Sequence, residues 1–198
     1  LGNGISLVGV NLSNINLSKL SMPGINLAQA NLSGADLSRA NLKGANLEGA
    51  NLENAIMTRA NLAIANLKGA NLRCANLVSA NLSGAATTSV QSTARVIGAN
   101  LHRANLSKAK LTNANLVRAK LSWADLRGAD LREAKLRGAD LVGSMLQKAR
   151  LGGAKLDGAR LEETNLTGAD LWGASLQGAN FRRAVLGDAN FSFANLSE

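Results

Sequence analysis

Along this chain the apolar positions recur every five residues. Leu marks the centre of each unit and Ala stands two places before it, as in Ala30-Asn31-Leu32-Ser33-Gly34 and Ala124-Asp125-Leu126-Arg127-Gly128. On an α-helix, five residues advance by about 500°, so the Leu positions would walk around the cylinder and leave no apolar stripe. In an extended segment, residues two apart share a side and the one between them points the other way. Ala and Leu then face inward together, and the intervening Asn, Asp, Lys or Arg faces water. The last two places are rich in Gly, Ser and charge, with Gly recurrent at the fifth, as in Gly34, Gly128 and Gly168. Gly accepts positive φ without steric cost, so each unit reads as a short straight piece followed by a corner. Straight pieces and corners in succession predict a coil. Its interior is Leu and Ala, and its turns bond through their backbones about 4.8 Å apart.

The register holds over units centred on Leu7 through Leu82 and again over Leu101 through Leu196. This divides the chain into an N-terminal repeat segment (1–85), an interruption (86–98) and a C-terminal repeat segment (99–198), with the two repeat segments expected to form one rod. The interruption includes Ala86-Thr87-Thr88-Ser89-Val90-Gln91-Ser92-Thr93. Two readings of it stand side by side. Either it bulges out as a loop, or Ala85 to Ser89 and Ala94 to Gly98 remain imperfect units around a shortened one. The loop is favoured, because Thr and Ser at inward positions would bury hydroxyls that need partners. In the first coil the small inward position is instead Ile5, Val10, Ile15, Leu20 and Ile25, with Pro23 among them. Such bulk is expected to widen or loosen that coil and reads as a cap or a transition to something upstream.

The repeated Ala-Asn/Asp-Leu-x-x resembles the pentapeptide-repeat family. With 36 units in register, 32 of them centred on Leu, the match is specific and covers nearly the whole chain. The resemblance implies an all-β fold: a right-handed quadrilateral parallel β-helix with four units per coil. Nine to ten coils would then make a flat-sided rod about 45 Å long. It also implies bacterial, notably cyanobacterial, relatives and transfers no binding residue. Four units per coil place residues 20 apart above one another. On that map, Lys110, Asp130, Arg150 and Asp170 form one outward column and Asn100, Lys120, Asp140, Arg160 and Asn180 another, with charges alternating as neighbouring strands favour. A third column, Asn115, Lys135, Lys155 and Ser175, stacks like charges. Arg118, Lys120, Lys135, Arg137 and Lys155 are therefore candidates for contact with an anionic partner, either nucleic acid or a membrane surface. Trp172 and Phe193 fall on one face in successive coils and form a candidate apolar contact, as do Trp123 and Val142 on another. The former pair lies near the C-terminal coil, where end-to-end self-association is one expectation.

Composition narrows the functions. The chain has 198 residues, 46% hydrophobic but only 3% aromatic, and a net charge of +9. One branch of the family is associated with protecting DNA gyrase by mimicking duplex DNA. A mimic needs an acidic surface, so the positive charge disfavours that role here. Direct nucleic-acid binding is permitted by charge but lacks interleaved aromatics or a recognition helix. His102 is the only histidine and Cys74 the only cysteine, so neither a histidine triad nor a multi-cysteine metal site can be drawn. Carboxylate pairs such as Glu162-Glu163 fall on a convex surface. No catalytic residue, cofactor or metal is expected, and the reading is a rigid scaffold for an unknown protein partner. A single cysteine is compatible with a reducing, cytoplasmic setting. The chain starts at Leu1, so an export signal or anchor upstream stays open.

Overall fold

The computed structural model describes residues 4–83 and 99–197. The interruption at 86–98, read from the sequence as a loop or an irregular coil, lies outside them. Parallel bridges join residues 20 apart throughout both repeat segments, from Ser6↔Asn26 to Ser175↔Asn195. Four straight pieces and four corners close each coil, so the rod has four faces. The column Ser6, Asn26, Asn46, Asn66, Asn100, Lys120, Asp140, Arg160, Asn180 runs up the first face through nine levels. The second begins at Asn11, the third at Asn16 and the fourth at Ser21. Across the interruption the bridge spacing becomes 34 residues, as in Asn66↔Asn100. There Ala99 N–H donates to the Leu82 carbonyl at 3.0 Å, the same corner bond that Ala80 makes to Leu77 at 2.9 Å. Both segments therefore share one ladder, and Ala99 opens the face that follows Leu82.

The residues 45–49 show why a five-residue unit suffices. Ala45 N–H donates across the corner to Leu42, Asn46 donates down to Ile25, and Leu47 and Gly49 donate up to Asn66 and Lys68, at 2.7 to 3.0 Å. One N–H per unit is left, that of the residue after Leu. It points outward, and the Asn46 Oδ1 accepts it from Glu48 at 3.2 Å. This two-residue side-chain turn is what Asn and Asp supply best. It recurs at every Asn or Asp in that position among the described residues, from Ser13 on Asn11 to Ser197 on Asn195. Pro23 stands at the residue after Met22, the one place in the unit whose N–H the coil does not use.

Inside, Leu and Ala are buried at nearly every level. At each corner the fifth residue has φ between 54° and 68°, apart from 102° at Gly4. Twenty of these residues are not glycine. The corner is thus imposed by coil closure, and each non-glycine residue there works against a steric cost of about 1 kcal/mol. Bulk at the small inward position also shows at the corners. The bonds closing on Val10, Leu20, Ile25 and Thr164 are 3.3 to 3.4 Å, against 2.8 to 3.1 Å where Ala closes the corner, while the coil-to-coil bonds from Leu7, Leu17 and Leu27 stay at 2.7 Å. Bulk is absorbed at the corner and not between coils. In the last coil Phe181 and Phe191 take the Leu position on opposite faces, and their rings meet edge to face at 5.9 Å.

Candidate functional site

The outward columns are where the two halves part. From residue 11 to residue 100 the asparagines form amide ladders. Asn31 donates to Asn11 at 3.1 Å, Asn51 to Asn31 at 3.3 Å and Asn71 to Asn51 at 3.1 Å on the second face. The first face continues in the same way from Asn46→Asn26 to Asn100→Asn66, and the fourth from Asn61→Asn41 to Asn81→Asn61. Each amide donates to the level below while its oxygen accepts from above and from its own turn. The sequence reading placed these residues in water and missed the ladders. The signal that could have found them is Asn at a spacing of 20, since an amide alone can both donate and accept along such a column.

In the upper half the columns carry charge. Lys110, Asp130, Arg150 and Asp170 do stack, as do Lys120, Asp140 and Arg160. Ion pairing, however, forms mainly within a unit. Arg132 reaches Asp130 at 2.6 Å and Arg127 reaches Asp125 at 2.7 Å, whereas along those two columns only Asp140–Arg160, at 3.6 Å, is an ion pair among the described residues. The Arg132 side-chain bond holds the Asp130 carboxyl below its ordinary range, outweighing partial burial. Burial pushes Asp125 up, but the side-chain bond, backbone N–H and charge of Arg127 together bring it below that range.

The fourth face differs. Lys135 bridges Lys155 directly, both exposed, with Arg137 beside them. Arg118 sits at the next corner, its Cγ lying 3.5 Å from where a Cβ on Gly138 would fall. Lys120 opens the adjoining face. The register places these five cations within three levels, and none of them is in an ion pair among the described residues. Asp157, the one acid on this stretch of the face, accepts from the Ser175 hydroxyl. Glu133, at the preceding corner, folds over Gly153.

The structure also brings Trp172 and Phe193 together. Their rings meet edge to face at 5.9 Å, with Trp172 54% and Phe193 85% exposed. Trp123 lies flat on the adjacent level, so that a Cβ on Gly143 would fall 2.8 Å from the indole. His102 Nδ1 meets Ser122 Oγ at 2.9 Å with no acid completing a triad, and Cys74 is half-buried. Among the described residues no group of three His, Cys, Asp or Glu could hold a metal ion, and no helix is long and apolar enough to cross a membrane. One shallow depression is lined by Glu162, Glu163, Arg182 and Arg183, whose charges compensate one another.

A five-residue coil with four corners, an aliphatic interior and outward Asn or Asp defines a class, and the comparisons agree with it. A family model of pentapeptide repeats matches in eight copies over residues 5–85, 94–162 and 164–198. The chain belongs to the pentapeptide-repeat family, whose fold is the right-handed quadrilateral β-helix. Among solved structures it is similar to HetL, a pentapeptide repeat protein involved in heterocyst differentiation regulation from the cyanobacterium Nostoc sp. strain PCC 7120. The identity is 34% over 97% of this chain and 89% of that one, with a TM-score of 0.40. Rfr23 from the cyanobacterium Cyanothece 51142 is 30% identical over 66% of this chain and 90% of that one, with a TM-score of 0.43. Full-length QnrB1, a plasmid-mediated fluoroquinolone resistance protein, is 21% identical over 93% of this chain and 92% of that one, with a TM-score of 0.61, which shows a shared fold. No curated protein matches the chain.

Proposed function

We propose that this protein is a non-enzymatic, rigid scaffold that presents flat faces to a protein partner. The observation that carries this reading is the closed Leu and Ala interior. It fills the space an enzyme or carrier would use for an interior pocket and leaves outer faces with regularly spaced side chains. The ladder of backbone bonds at every level supports it, since preorganised surfaces lose little freedom on binding. Among the described residues His102 meets Ser122 with no carboxylate behind it, and Cys74 has Arg73 beside it but no base. Cross-linking in the cell of origin, followed by recovery of the full chain, tests the proposal. The scaffold reading expects one recurring protein, with cross-links confined to one or two adjacent faces and unchanged in His102→Ala and Cys74→Ser. Cross-links scattered over all four faces with no recurring partner would overturn it.

A further inference from the structure

We infer that the fourth face, between levels 118 and 177, is a docking site for a short acidic segment of a protein partner; this rests on the scaffold reading and names the chemistry of its contact. Charge is the first observation. Residues 99–197 carry fifteen Lys and Arg against nine Asp and Glu. On the other three faces the mid-strand charges meet in ion pairs or alternate up the column, and no two cations bridge each other directly. On the fourth, Lys135 stacks on Lys155 and neither is paired. Like charges in register cost stability, and the fold gains nothing from placing them there.

The backbone gives the second observation. Elsewhere in the upper half, a unit without an outward Asn or Asp alternates with one that has it, or stands beside it. On the fourth face three successive levels lack one: Lys135, Lys155 and Ser175 stand in that position. The N–H groups of Arg137, Asp157 and Gln177 therefore have no acceptor from their own units, whereas Val117 N–H below them is held by Asn115 at 3.3 Å. Outward N–H donors rising in a column beside Lys135, Arg137 and Lys155 form a surface matched to carboxylates. Asp157 keeps its negative charge while one of its oxygens accepts from the Ser175 hydroxyl, and Arg118, Lys120, Lys135, Arg137 and Lys155 outnumber it.

Size decides the occupant. From Arg118 to Lys155 the cluster spans two coil steps, about 10 Å. A protein that makes six to ten phosphate contacts on duplex DNA uses more cations than the five in this patch. No aromatic stands on the fourth face beside Lys135 and Lys155 to offer a base a stacking surface. The exposed Trp172 and Phe193 lie on the third face and at its corner with the fourth, above Lys155, and the vesicle arm of the test reads whether they enter a lipid layer. Two or three carboxylates on an extended segment fit the area, since alternate side chains of a strand project every 6.6 Å or so.

The test is fluorescence anisotropy with the full chain and four probes: a labelled peptide containing six glutamates, the same peptide with glutamines, a 20-nucleotide single-stranded DNA, and vesicles of phosphatidylcholine and phosphatidylserine. The Lys135→Glu/Lys155→Glu variant is compared with Lys108→Glu/Lys148→Glu, which changes net charge equally at a different corner. The glutamate peptide should bind the wild type, lose at least tenfold in affinity in the first variant and less than twofold in the second, and the glutamine peptide should not bind. Thermal melting checks folding, and Lys135→Gln/Lys155→Gln serves if the reversed pair fails to fold. Equal loss in both variants, absence of glutamate-peptide binding, or tighter binding of DNA or vesicles that the first variant abolishes would each overturn the inference. All three leave the scaffold reading standing, because its readout is partner recovery by cross-linking.

Discussion

The lower and upper halves of the rod share one interior and one backbone ladder, yet they treat their outward column in opposite ways. In residues 4–83 that column closes on itself through amide ladders on the first, second and fourth faces. In residues 99–197 half of its positions are charged; Asp125, Asp130 and Arg160 pair within their units or along the column on three faces, and Lys135 and Lys155 on the fourth are unpaired. The coil's requirements are met by the inward Leu and Ala, the corner and four of the five N–H groups in each unit. The outward column can therefore vary without altering the fold, and the place where it departs from what stability favours is where a partner is to be sought.

If the interior is common to both halves, matched cavities should cost alike. Leu47→Ala and Leu136→Ala, each at a fully buried position, are expected to lose about 2 to 5 kcal/mol in urea denaturation and to agree within about 1 kcal/mol. A large inequality would show that the halves are packed differently. Corners should separate strain from crowding. Gly158→Ala meets open space and should cost about 1 kcal/mol for its φ of +62°. Gly143→Ala must also displace the Trp123 ring and should cost about 2 to 3 kcal/mol, with the excess removed in a Trp123→Ala background. An excess that persists without the indole would mean the cost does not come from the Trp123 ring, and no excess over Gly158→Ala would mean the ring moves freely.

Much of this was legible in the sequence because the five-residue period leaves few solutions. Ala30 and Leu32 face inward as the alternation required, and Lys135 and Lys155 stack as the 20-residue map required. What was not legible lies in side chains with more than one partner within reach. Asp130 could pair along its column with Lys110 or Arg150, but Arg132 sits on the same level and reaches it with a bidentate fork. Asn51 reads as a solvated polar residue until its amide is seen to join Asn31, Asn71 and the Glu53 N–H at once. The corner was read through its glycines, yet Trp123 and Glu133 adopt the same φ because closure demands it.

Acid should sharpen the contrast between halves. Asp125 and Asp130 titrate below their ordinary range in the folded chain. Their contribution is complete above the unfolded value of about 4 and is lost as pH falls through the lower folded values. The lower half has one comparable group, Asp36, held down chiefly by the Ser38 hydroxyl. Amide hydrogen exchange at pH 3 against pH 6 should therefore lose protection first around Leu126 and Leu131, and earlier loss around Leu47 and Leu52 would break the comparison. A smaller effect is expected at Ser144, whose buried hydroxyl has no partner. Ser144→Ala should be neutral or stabilising by up to about 1 kcal/mol in the same urea titration.

The central claim is that the lower columns serve the fold and the fourth upper column does not. A reciprocal exchange tests it most directly. Asn51→Lys removes two ladder bonds and the Glu53 turn, while Lys135→Asn extends the fourth-face asparagine column above Asn115 and supplies an acceptor for the Arg137 N–H. The urea midpoint is expected to fall for Asn51→Lys and to rise for Lys135→Asn, each by the equivalent of about 1 kcal/mol. A lower midpoint for Lys135→Asn would mean that the stacked lysines hold the rod together, and would contradict the account.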